Sequence, residues 1–72
     1  MKKEKLLEKI RNNIRNVSLT DFESLAKHYG DIEEGSKHPR IVIRDNYPLT
    51  YKRESRVKAC YVKELLDIID SL

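Results

Sequence analysis

The sequence predicts a small α+β two-layer sandwich, with a three-stranded antiparallel sheet covered on one face by helices in the order ααβββα. Three observations carry this. Apolar residues recur at helical spacing from Leu6 to Tyr29 and again from Val57 to Leu72, while the chain between Asp31 and Lys52 alternates or clusters β-branched residues. Two turn-forming pairs, Gly35-Ser36 and Asp45-Asn46, punctuate that middle stretch. With 72 residues, 39% hydrophobic and 38% charged, there is apolar material for one modest core, so residues 1–72 read as a single domain.

Leu6, Leu7, Ile10, Ile14 and Val17 line one side of a first amphipathic helix over roughly 3–15, with Lys5, Lys9, Arg11 and Arg15 opposite. A second helix begins at Ser18, whose hydroxyl can cap it. Asp21 complements the N-terminal dipole, and Val17 can staple to Phe22. Phe22, Leu25, Ala26 and Tyr29 then share a face, Lys27 and His28 fall in the last turn, and Gly30 is placed to end the helix in a left-handed conformation.

The apolar period then shortens. Residues 31–34 predict a short edge strand and about 38–44 the next one. In the latter, Ile41 and Ile43 face inward while His38, Arg40 and Arg44 share the outer face with Val42. After Asp45-Asn46, Tyr47, Leu49 and Tyr51 alternate inward, and Thr50 and Lys52 outward, in a third strand over 47–52. Ser55 is a candidate cap for a final helix over 57–71. Its stripe of Val57, Tyr61, Val62, Leu65, Leu66, Ile68, Ile69 and Leu72 is wide enough to cover one sheet face.

Fifteen Lys and Arg against 12 Asp and Glu is a mild excess, but its distribution is uneven. From Lys37 to Lys58 seven cations stand against two acids, the footprint of a surface for a polyanion or of a merely solvated sheet face. So small a domain has no room for an enclosed cofactor cavity or a separate substrate domain; if it is an enzyme, its substrate is a polymer lying across the surface. The single cysteine, Cys60, excludes an internal disulfide and suits a reducing cytoplasm; it reads as a half-buried helix position. No apolar run exceeds four residues, and Met1-Lys2-Lys3 lacks a signal-peptide core, so a cytoplasmic protein without a membrane segment is expected.

The densest chemistry lies in Gly35-Ser36-Lys37-His38-Pro39-Arg40, which runs into Ile41-Val42-Ile43. It presents an imidazole at a strand mouth between two cations, where a phosphodiester could be held. Gly-Ser-Lys-His before a short strand, a Pro-led second strand and the C-terminal helix over 61–70 together resemble the HicA family of toxins, from about Leu19 to Ile69. The first helix is then an addition to the minimal family pattern. Many members read Gly-Ser-His, so with Lys37 after Ser36 the histidine aligns one place later.

The resemblance implies a double-stranded-RNA-binding-like fold, endoribonuclease activity on messenger RNA, and neutralisation by a cognate HicB-like antitoxin. His38 would be the catalytic general base on a ribose 2′-hydroxyl, working without a metal or other cofactor. Ser36, Lys37, Arg40, Arg44, Lys52 and Arg53 would bind RNA, with the cations stabilising negative charge in the transition state. The alternative is a non-catalytic RNA- or DNA-binding module on the same basic face; a third reading is an interaction protein whose helices dock a partner.

Other chemistries find no support in the sequence. His28, His38 and Cys60 match no metal-ligand spacing, and Glu33-Glu34 would point to opposite strand faces. His28 suits a helix C-terminus as a dipole partner. Ser36 and Cys60 lack the context of an acyl-transfer nucleophile, and the two glycines, Gly30 and Gly35, form no phosphate-cradling loop.

Overall fold

A computed structural model describes residues 2–34, 37–44 and 47–72. The expected turns at Gly35-Ser36 and Asp45-Asn46 lie outside the described residues. Helices α1 (Lys3–Asn12) and α2 (Leu19–Tyr29) flank a two-residue strand, β1 (Val17–Ser18). Strands β2 (Asp31–Glu33), β3 (Arg40–Val42), β4 (Leu49–Thr50) and β5 (Arg56–Val57) follow, and α3 (Ala59–Asp70) completes the chain. The expected α+β class holds: β2, β3 and β4 form an antiparallel sheet in that order. The sequence reading did not foresee the second, two-stranded sheet of β1 and β5, with Val17 opposite Val57.

The sheet register explains which side chains meet. Ile32, Ile41 and Leu49 lie in one cross-strand row, and Glu33, Arg40 and Thr50 in the next. The first row turns toward the helices and the second toward solvent, as a period of two requires. Ile41, Ile43, Leu49 and Tyr51 pack beneath Phe22, Leu25 and Ala26 of α2 and Val62, Leu65, Leu66 and Ile69 of α3. Phe22 and Tyr51 meet edge to face, with ring centroids 5.0 Å apart, a favoured aromatic geometry. Leu6 and Ile10 of α1 belong to the same buried cluster, and Arg11 donates to Asp70 at 3.2 Å, tying α1 to the end of α3.

Helix α2 begins as its sequence dictates. The Ser18 hydroxyl accepts the Asp21 N–H at 3.2 Å, and Val17 is buried in the cluster that holds Phe22. Its other end differs from expectation. Gly30 has φ −166°, which is extended backbone rather than a left-handed cap. The glycine is needed for space: a Cβ there would lie 2.2 Å from the Val42 carbonyl oxygen and 2.9 Å from Ile43 Cγ1. The chain leaving α2 passes directly over β3, and only a residue without a side chain fits.

Four further expectations are corrected. Tyr47 is 93% exposed rather than core. It precedes Pro48, which cannot donate to the ladder, and regular pairing begins only at Leu49. Helix α3 starts at Ala59 with Lys58 as its N-cap, not at 57 behind Ser55. Val57 and the Ser55 carbonyl are instead committed to β1 and the start of α2: Val57 pairs Val17, and Ser55 accepts the Leu19 N–H at 3.2 Å. Cys60 is exposed, because it falls on the side of α3 opposite Val62, Leu65, Leu66 and Ile69. Among the described residues, no helix is long and apolar enough to cross a membrane.

Candidate functional site

The strands that position His38 can be traced one residue pair at a time. Arg40 pairs Thr50 on the outer face, and the ladder continues past the last formal pair because Tyr51 N–H donates to the Pro39 carbonyl at 3.2 Å. Pro39 and Tyr51 are both buried, so the inward–outward alternation persists there. The next residues out, His38 and Lys52, are both exposed. The two strands thus bring an imidazole and an ammonium to the same edge of the sheet from positions 14 apart in sequence.

At that edge lies a depression of about 350 Å³ lined by Glu34, Lys37, His38, Pro39, Lys52, Arg53 and Glu54. Four of the expected site residues therefore converge: His38, Lys37, Lys52 and Arg53. Two do not line it. Arg40 sits one turn of the pleat away, where its guanidinium donates to Glu33 Oε1 at 3.1 Å. Arg44 is exposed beyond the far end of β3 from His38. Ser36 lies outside the described residues.

Arg53 is the most constrained member. Its Nε donates to Glu23 Oε2 at 3.0 Å, and its Nη1 donates to Glu34. The Tyr51 hydroxyl donates to the same Glu23 oxygen. Hydrogen bonds to Glu34 and then Glu23 hold the guanidinium above its ordinary range, so it stays charged. The same contact holds the Glu34 carboxyl below its ordinary range. Burial, reinforced by Glu23, pushes the Tyr51 hydroxyl up and keeps it a proton donor. A chain from the core through Tyr51, Glu23, Arg53 and Glu34 thus fixes one wall of the depression.

Sequence reasoning missed Glu23, Glu34, Glu54 and Tyr51 as parts of the site. Tyr51 was legible as an inward residue, but nothing local signals that its hydroxyl meets a carboxylate from α2, 28 residues away. The site is consequently less basic than the run from Lys37 to Lys58 suggests, since carboxylates from α2 and the segment after β2 are folded into it. Among the described residues, no group of three or more His, Cys, Asp or Glu is arranged to hold a metal ion.

In chemical terms, the depression offers an imidazole, two ammonium groups and a fixed guanidinium to an anion approaching from solvent. No protein-family model, curated protein or solved structure matches this chain.

Proposed function

We propose that the protein is a metal-independent endoribonuclease toxin of the HicA type, acting on messenger RNA in the cytoplasm and restrained by a cognate HicB-like antitoxin. The observation that carries this reading is the exposure of His38 in the same depression as Lys37, Lys52 and Arg53. The resemblance in Gly35-Ser36-Lys37-His38 and in the order of strands and C-terminal helix supports it.

The His38 imidazole takes the proton of a ribose 2′-hydroxyl, and the resulting oxygen attacks the adjacent phosphorus while the 5′ oxygen departs. Lys37 and Lys52 hold the phosphate through ammonium contacts, and Arg53, already fixed by two carboxylates, offers its remaining N–H edge to the charge that develops on the phosphoryl oxygens. A single positioned base of this kind contributes ~10²–10⁴-fold, so turnover depends strongly on how the RNA is placed.

The test is cleavage of a defined RNA by purified protein in excess chelator. His38→Ala should bind that RNA with unchanged affinity and cut it ~10²–10⁴-fold more slowly. An RNA with deoxyribose at the cut position should resist cleavage; if it is cut equally well, the 2′-hydroxyl route is wrong. Binding without cleavage by the wild-type chain would instead identify a non-catalytic nucleic-acid module on the same face.

A further inference from the structure

We infer that Lys52 is the general acid of this site, giving a proton to the 5′ oxygen that leaves as His38 takes one from the 2′-hydroxyl. The inference rests on the endoribonuclease reading and adds to it the group that completes the proton balance. In the full step, the 2′ O–H proton passes to His38, the 2′ O–P bond forms, the P–5′ O bond breaks, and the departing oxygen receives the Lys52 proton. The products are a 2′,3′-cyclic phosphate and a 5′-hydroxyl end. Exchange with water then returns imidazole and ammonium to their starting states.

The geometry favours Lys52 over the other groups in the depression. Base and acid must approach the phosphorus from opposite sides, because the attacking and leaving oxygens are in line. His38 precedes β3 and Lys52 follows β4, each one residue beyond the Pro39–Tyr51 backbone contact, and both are exposed. Both line the same depression, so a phosphate seated there meets the two side chains together. Lys37 is the chain neighbour of His38 and reaches the depression from the same short segment before β3. The Arg53 guanidinium gives up its proton reluctantly, because Glu34 and Glu23 both stabilise its charged form. Glu34, held below its ordinary carboxyl range by Arg53, has no proton to offer at neutral pH.

The test compares two RNAs of one sequence in single-turnover reactions at saturating protein. One is natural; the other carries sulfur in place of the 5′ oxygen at the position the wild-type protein cuts, and a thiolate leaves without being protonated. Lys52→Arg, which keeps a cation on the phosphate, should slow the natural RNA ~10²-fold or more while cutting the sulfur-substituted RNA close to the wild-type rate. Lys52→Ala, which also loses the phosphate contact, should slow the natural RNA more than the sulfur-substituted one. Lys52→Arg keeps the charge and the fold but holds its proton too tightly to serve. His38→Ala should lose both substrates.

Equal loss of both substrates in the two Lys52 variants, or no loss in either, overturns the assignment of Lys52 while the nuclease reading stands on His38→Ala. Failure of the wild-type chain to cut either RNA removes that reading and this inference together.

Discussion

Glu23 accepts both the Tyr51 hydroxyl and the Arg53 Nε, so a single carboxylate joins the core to the candidate site. Removing the hydroxyl alone, in Tyr51→Phe, keeps the ring against Phe22 and leaves Glu23 its contact with Arg53. A hydrogen bond to a charged acceptor contributes about 1.5–3 kcal/mol, and Glu23 is only half-buried, so a loss near 1.5 kcal/mol is expected in urea unfolding. The companion pair, Arg53 and Glu34, is exposed and makes a pH prediction instead.

Because the folded Glu34 carboxyl titrates below its ordinary value, its contribution is fully present above the ordinary carboxylate range and fades as the pH falls through the lowered value. Wild-type protein should therefore melt above Glu34→Gln near neutrality, and the two melting curves should converge as the solution is taken to about pH 2. A gap that persists in acid would mean the substitution acts through something other than the ion pair. None of these partnerships was visible in the sequence, since each joins residues at least 19 positions apart through the tertiary fold. What the sequence did show was the histidine beside Lys37 in one short segment, with Lys52 and Arg53 as candidate cations further along the chain.

The helices were the most legible elements, because each carries a long apolar stripe and α2 also carries its Ser18 cap. Strands β1 and β5 were invisible for the opposite reason: two residues each are too few to display a period, and their pairing depends on where α2 and α3 begin. The end of α2 was misread because a terminal glycine most often signals a left-handed cap, whereas Gly30 answers a crowding problem set by β3.

Gly30→Ala should accordingly destabilise through overpacking, by about 1–3 kcal/mol. In a domain of this size, each 1 kcal/mol lost lowers the melting temperature by about 4–8 °C. An unchanged melting temperature would show that the chain leaving α2 can shift away from β3 at no cost. Helix α1 is part of the core, with Ile10 1% exposed. Ile10→Ala should cost about 2–5 kcal/mol, a large share of what so small a domain can hold, measured by thermal or chemical unfolding. A loss under 1 kcal/mol would mean that α1 rests on the domain without helping to hold it together.

At the scale of the whole molecule, the net charge of +3 conceals two kinds of cation on the sheet side. Arg40 is matched by Glu33, and Arg53 by Glu23 and Glu34. Among the described residues, Lys37 and Lys52 stand in the depression with no carboxylate ion pair of their own. A phosphate meeting either lysine displaces its own counterion, whereas one meeting Arg40 must also compete with Glu33. Counterion release makes binding weaken with salt, by about 0.7 in the log–log slope for each phosphate of a single strand that a cation neutralises. On the proposed RNA-cleaving function, Lys37→Ala and Lys52→Ala should each flatten the salt dependence of binding to an uncleavable, deoxy-substituted RNA by about 0.7, and together by about 1.4. Arg40→Ala should flatten it less, because Glu33 already offsets that charge. Filter-binding or anisotropy titrations over a series of salt concentrations give these slopes directly. If Arg40→Ala changes the slope as much as Lys52→Ala does, RNA strips Glu33 from its partner, and the binding surface extends from the depression across the outer face of β3.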